Sequence, residues 1–179
     1  NINQEQISDE LRYSGKIGAV EVTTGLYYFA QDLAYAEQRD LLGGARILSG
    51  GGTQDQTTWG AFASADWHFS NTLTLNIGGR YSWERKAVRI APLGANGCDV
   101  NTLRCATNFI DDESWKSFTP KLGLQWQPDN QTQIYGFYTR GFRSGGYNLR
   151  NTDPGVPPGP FDQETQDSFE IGAKKQFGR

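Results

Sequence analysis

The chain has 179 residues, enough for one domain or for part of a larger one. Hydrophobic residues make up 36%, and no apolar run approaches the about 18 residues a membrane helix needs. That excludes a helical membrane protein but not a strand-built one, and a net charge of -3 argues against a nucleic-acid binder, which carries a basic patch.

Aromatic residues at 13% and 22 glycines against 7 prolines favour β structure with many turns. Seven strand-like segments are predicted, at 5–14, 18–37, 54–69, 72–91, 113–127, 131–146 and 163–178, and no long segment carries a helical apolar period. The connections alternate. Short ones fall at 14–17, 70–71 and 128–130, and long ones at 38–53, 92–112 and 147–162. Tight turns on the periplasmic side and long loops outside give an antiparallel outer-membrane barrel this asymmetry.

Alternate residues separate by polarity. In the third segment Trp59, Ala61, Ala63, Ala65, Trp67 and Phe69 share one face, against Thr58, Gly60, Ser64, Asp66 and His68, with Phe62 the bulky exception. The fourth sets Leu73, Leu75, Ile77, Gly79, Tyr81 and Trp83 against Thr72, Thr74, Asn76, Arg80, Ser82 and Glu84. The fifth sets Phe118, Pro120, Leu122, Leu124 and Trp126 against Thr119, Lys121, Gln125 and Gln127. The seventh sets Phe169, Ile171, Ala173 and Phe177 against Ser168, Glu170, Lys174 and Gln176. Period two predicts sheets with one apolar and one polar face.

Aromatics recur near each short turn and again about ten residues away, as Phe69 with Trp59, Trp126 with Phe118 and Phe177 with Phe169. Ten residues at about 3.4 Å, tilted by about 40°, climb roughly 26 Å, the height of a lipid-facing band between aromatic girdles. The alternative is that these rings form the core of a twisted soluble sheet, against which segments of 15–20 residues weigh, since soluble strands average about 5–6.

No methionine occurs, no secretory leader opens the chain, and seven strands is odd where bacterial single-chain barrels use even numbers. A piece of a longer protein is therefore expected. Cys98 and Cys105, separated by six residues, would close a small disulfide loop in an oxidising compartment and remain free thiols in the cytosol. Catalysis finds little support. His68, the only histidine, sits beside a tight turn, poorly placed for a serine triad, and no phosphate-binding glycine loop is present.

The stretch SFTPKLGLQWQPDNQTQIYGFYTRGFRSGGYN, from Ser117 to Asn148, resembles TonB-dependent outer-membrane receptors of the iron-complex, or siderophore, type. PFDQETQDSFEIGAKKQF resembles a later strand of the same family, matched at Glu164, Thr165, Ser168, Glu170, Gly172 and Lys174. ISDELRYSG, TGLYYFAQD and ASADWHFSNTLTLNIGGRYSWERK resemble preceding barrel strands, so the likeness covers most of the chain outside the long loops. It implies an all-β antiparallel transmembrane barrel of 22 strands, of which residues 1–179 supply about seven long meandering ones. It also implies an N-terminal plug domain and a TonB box, neither found in these residues, through which an inner-membrane TonB complex powers import.

On this reading Arg80, Glu84, Lys121, Glu170 and Lys174 face the lumen, where they contact the plug, guide an anionic substrate or pair with one another along the inner wall. Arg140, Arg143 and Tyr147, with Tyr138 and Phe142 nearby, suit the anionic oxygens and aromatic rings of a ferric siderophore, or serve as strand-end architecture. The loop at 147–162, stiffened by Pro154, Pro157, Pro158 and Pro160, and the loop at 92–112 are expected outside the membrane. Asp111, Asp112 and Glu113 either hold a cation or form a solvated loop end.

The expected function is TonB-dependent import of a ferric siderophore or similar scarce nutrient across the bacterial outer membrane. The expected partners are the TonB complex, outer-membrane lipid and the siderophore itself, with no nucleic acid. No resident cofactor or metal is expected, iron entering only within the cargo, and vitamin B12, glycans and other chelates remain open as substrates. Two alternatives stand beside it, a passive porin-like or adhesive barrel, and a soluble all-β binding module.

Overall fold

The computed structural model describes residues 1–150 and 155–177; Pro154 and the last residue of the seventh expected segment lie outside these. One antiparallel sheet of seven strands runs in chain order as a meander. Its strands are β1 (Ile2–Ile17), β2 (Val20–Leu41), β3 (Arg46–His68), β4 (Leu73–Gly94), β7 (Phe109–Asp129), β8 (Thr132–Arg143) and β9 (Glu164–Lys175). Between β4 and β7 sits a two-stranded ribbon, β5 (Cys98–Asp99) and β6 (Arg104–Cys105), closed by a disulfide between Cys98 and Cys105.

One end of the sheet carries only the tight connections 18–19, 69–72 and 130–131; the other carries 42–45, 95–108 and 144–163. Gly18 sits in the first tight turn at φ +61, a conformation glycine adopts without steric cost. The connection expected at 38–53 is mostly strand. β2 and β3 stay paired from Glu37↔Gly50 to Leu41↔Arg46, leaving four loop residues and one 3-10 turn. The run Gly50-Gly51-Gly52 reads as loop chemistry, yet it marks a bulge where strands come too close for side chains. Gly51 has φ +147, and a Cβ there would strike the Tyr35 backbone. β4 likewise reaches Gly94 and β7 starts at Phe109, so the 92–112 connection shortens.

Register turns the alternation into rows. Trp67, Leu75 and Leu124 pair in sequence across three strands, as do Ala65, Ile77, Leu122, Tyr138 and Phe169 across five. Higher rows join Leu11, Leu26, Ala61, Tyr81 and Phe118, then Tyr28, Trp59 and Trp83. At the level of these rows no second layer of the described chain covers the face, and Ile77, Leu122 and Leu124 are 51%, 50% and 47% exposed. A soluble sandwich would bury them beneath a second sheet. An apolar face of this extent, bounded by aromatic rows, is complementary to hydrocarbon.

The buried cluster lies on the opposite, polar face near the long-loop end: Val88, Ile90, Trp115 and Tyr147. In a closed barrel that face is the inner one.

Candidate functional site

β8 ends at Arg143, and the chain then turns onto the polar face through Ser144, Gly145, Gly146 and Tyr147. Gly145 lies flat on Trp115; a Cβ there would collide with the indole and with the Phe161 carbonyl. The outgoing and returning limbs pair with each other. Gly146 and Phe161 exchange backbone hydrogen bonds of 3.2 and 2.8 Å, and Asn148 N–H donates to Pro158 O at 2.6 Å. These limbs form a strap against the wall.

Tyr147 anchors it. Its ring is 8% exposed, with centroids 6.3 Å from Trp115 and 6.2 Å from Phe109, and its hydroxyl donates to Asp111 Oδ2 at 3.1 Å. Burial, the Asp111 hydrogen bond and the nearby acids Asp111, Glu113 and Asp112 together push its phenol well above the ordinary range. Phe142 and Leu149 pack against the same cluster.

A charged network fastens the strap beside these rings. Lys86 Nζ reaches Glu84 Oε1 at 3.0 Å, Ser144 Oγ at 3.0 Å and Gly145 O at 2.7 Å, and stands 5.5 Å from the Trp115 ring centroid. All three ammonium donors are thereby used. Glu84 accepts from Thr58 Oγ1 at 3.1 Å and from the Ser144 hydroxyl. Further out, Arg150 Nε donates to Glu37 Oε2 at 2.9 Å, and Arg39 Nη2 donates to Glu37 Oε1 at 2.9 Å. The carboxylate of Glu37 holds the Arg150 guanidinium proton more firmly than usual.

Glu84, Lys86, Val88 and Ile90 alternate with Trp83 and Arg85, so the strap descends on the inner face to a level adjoining Trp83. The 147–162 connection was expected to stand outside the membrane. It rises from the long-loop end and lies on the inner face, where Gly145 lets its backbone approach the Trp115 indole.

Arg140, Arg143 and Tyr147 do not converge. Arg140 grips Asp167 through two bonds of 2.7 and 2.9 Å, Tyr138 donating to the same carboxylate, and by alternation it shares the face of Tyr138 and Ile134. Arg143 makes an exposed 3.5 Å contact with Glu164, and Tyr147 is buried in the strap.

The five polar-face charges stand on one face by register but do not pair with one another. Only Glu84 forms an ion pair among the described residues, with Lys86. Arg80 donates to Ser82 and lies 4.9 Å from the Tyr27 ring centroid; Glu170 accepts from Tyr135 at 2.7 Å; Lys174 stands over that ring at 5.4 Å. The acidic run splits between faces, Asp111 holding Tyr147 and Asp112 holding Arg85, and no metal-binding group of acids, cysteines or histidines forms among the described residues.

Lys86, Trp115 and Ser144 were not singled out from the sequence. Trp115 carried a usable cue, a large aromatic in polar-face parity with Ser117 and Thr119.

A family profile described as TonB dependent receptor-like, beta-barrel, matches residues 2–179. Curated proteins supply no significant match. In structure the chain is similar to the ferric yersiniabactin uptake receptor FyuA from Yersinia pestis, at 20% identity and TM-score 0.79 over 98% of this chain and 27% of that one. It is also similar to the ferric-catecholate import receptor Fiu from K12 E. coli, at 13% identity and TM-score 0.68, over 98% of this chain and 29% of that one. The siderophore receptor PiuA from Acinetobacter baumannii is similar at 14% identity and TM-score 0.70, over 98% and 30%. At such identities the likeness is one of fold, and this chain spans less than a third of each receptor.

Proposed function

The chain belongs to the TonB-dependent receptor-like β-barrel family, and on that premise we propose that it forms part of the wall of a bacterial outer-membrane receptor importing a ferric siderophore by TonB-dependent transport. The family and the three similar proteins are receptors and transporters rather than enzymes. The three similar structures are named as a ferric yersiniabactin uptake receptor, a ferric-catecholate import receptor and a siderophore receptor, and these descriptions support the cargo class.

The observation that carries the reading is the strap. A passive pore works with an open, water-filled mouth. Here a long connection folds onto the inner face and is held by Lys86, Glu84, Tyr147 and Asp111. A narrowed mouth suits a receptor that holds its cargo and admits it only when energy is supplied. Arg143 and the polar-face charges Arg80, Lys121 and Lys174 lie on the side a cargo would pass, with iron entering as cargo inside its chelate. A plug and TonB box elsewhere in the protein would couple the barrel to the inner-membrane TonB complex.

Growth of a deletion strain on single ferric siderophores, with and without the full-length gene and with and without TonB, tests this. Rescue on one chelate that disappears without TonB is the expected result. Equal growth on every iron source in both strains would remove the siderophore assignment, and rescue independent of TonB would favour a passive pore.

A further inference from the structure

The strap occupies the inner face; the disulfide-closed ribbon lies on the other, and both hold one short arm of the wall. That arm is the end of the β2–β3 hairpin, residues 37–50, paired from Glu37↔Gly50 through Gln38↔Ser49 to Leu41↔Arg46. Successive residues of a strand present their side chains to opposite faces. Glu37, in the parity of Tyr27 and Tyr35, belongs to the inner face, and Ser49, in the parity of Trp59, to the outer one.

On the outer face Ser49 is 5% exposed, and its Oγ accepts from Cys98 N–H at 2.9 Å. Gly97 lies so close that a Cβ there would strike the Ser49 carbonyl. The ribbon is closed by the Cys98–Cys105 bond, and Ala106 N–H donates to Gly97 O at 2.8 Å beside it. β5 lies against β2 and β3, and β6 against β3. On the inner face Arg150 of the strap donates to Glu37 Oε2, while Arg39 of the same strand takes Oε1. The carboxylate therefore moves with the β2 backbone rather than with the strap.

Below the arm the wall can bend. Gly50, Gly51 and Gly52 follow one another at the bulge, where the β3–β4 register slips between Gly51↔Ala91 and Ser49↔Gly94, the last pair the arm makes with β4. Glycine backbone resists such bending least. Ribbon and strap grip adjacent rungs of this hinged arm from opposite sides.

We propose that the disulfide ribbon is a positioning brace for the strap. By clamping Ser49 it fixes the angle of the β2–β3 arm, and with it the place of Glu37, so closure of the ribbon on the outer face holds the Arg150 end of the strap on the inner one. The Lys86 and Tyr147 attachments rest on β4 and β7 below the hinge, level with Gln56 and Val88, and do not pass through the brace. Because both grips stabilise one position of the arm, the coupling is reciprocal, and freeing the strap eases opening of the ribbon. This coupling holds whichever cargo the barrel admits.

Hydrogen exchange on the full-length receptor in detergent micelles tests it in three forms. These are the oxidised protein, the protein reduced with dithiothreitol and capped with iodoacetamide, and the double variant Cys98→Ser with Cys105→Ser. The expected result is that the Asn148 amide, two residues from Arg150, exchanges roughly two- to fivefold faster once the disulfide is open, the scale of a part-exposed ion pair. The Gly146 amide beside Trp115 and the amides of residues 73–83 should keep their rates. Ser49→Ala, with the disulfide intact, should shift Asn148 the same way by less. In the reciprocal experiment Arg150→Gln should speed reduction of Cys98–Cys105 by dithiothreitol by a similar factor. Unchanged Asn148 exchange in both disulfide-free forms overturns the proposal. So does equal acceleration at Asn148, Gly146 and residues 73–83, which would make the ribbon a general stabiliser of the wall. Equal reduction rates in Arg150→Gln and wild type overturn it as well.

Discussion

Phe169 on β9 shares a register row with Ala65 on β3, through Tyr138, Leu122 and Ile77, and so lies six residues along the strands from Trp59. Both rings nonetheless belong to one aromatic line at the long-loop side of the apolar face. Trp59 contacts Tyr28 at 4.5 Å, Phe169 contacts Tyr138 at 5.0 Å, and the paired Tyr81 and Phe118 lie two residues below Trp83. The line therefore crosses the rows obliquely. Six residues at about 3.4 Å against four strand spacings of about 4.8 Å give a strand tilt near 45°, within the range of closed barrels. A level girdle crossing tilted strands has this slope.

Depth follows the girdle rather than the register. In the full-length barrel reconstituted in bilayers, spin labels at Trp59→Cys and Phe169→Cys should report the same depth by power saturation with oxygen and a nickel chelate. A label at Ala65→Cys should lie about 14 Å deeper. Matching depths for the Phe169 and Ala65 labels would show the oblique line to be accidental.

The two faces should answer differently to charge. Leu122, midway between Phe118 and Trp126 on the apolar face, should cost about 2–4 kcal/mol when changed to Arg, as arginine does at the midplane of a lipid-facing barrel wall. Gln125→Arg, on the polar face of the same strand, should cost less than about 1 kcal/mol. Equilibrium refolding into lipid vesicles measures both, and equal costs would undo the assignment of faces.

Strap attachment should depend on Gly145 and Lys86 together. Gly145→Ala drives a methyl group into Trp115, and Lys86→Met keeps the aliphatic stem but leaves the Gly145 carbonyl without its donor and Glu84 without its cation. Each should lower the local opening free energy by about 2 kcal/mol. Hydrogen exchange at the Gly146 and Asn148 amides, which donate to Phe161 and Pro158, reads that opening directly. Unchanged protection in both variants would mean the strap is held elsewhere.

Alkaline pH should loosen the same segment. Tyr147 has a raised pKa in the folded state, so its neutral form is favoured there, and its contribution is complete below the ordinary tyrosine value of about 10. It is lost as pH rises beyond that value through the folded one, where the phenolate faces Asp111. Trp115 fluorescence should report the change above about pH 10 in the wild type. Tyr147→Phe should abolish that pH-dependent step, and persistence of the step in this variant would assign it to another group.

Strand number, the two faces and the alternation of short and long connections were legible from residue order, because side chains alternate with period two whatever surrounds the sheet. Leu73 to Trp83 and Phe118 to Trp126 display that period directly. The connection at 38–53 was misread because glycine and serine carry loop propensity. Its pairing depends instead on the partner strand, with Gly51 placed where the Tyr35 backbone approaches.

The site was less legible. Ser144-Gly145-Gly146-Tyr147 reads as a strand end until Trp115, about 30 residues earlier, and Lys86, about 60 earlier, supply the surface on which it lies. Asp167 faces Arg140 only once β8 and β9 pair, so their ion pair could not be read from residue order. Polarity along the chain thus determined a one-sided apolar wall, since that requires only local alternation. Tertiary structure decided which long connection folds inward and which outward, since that depends on contacts between residues far apart in sequence.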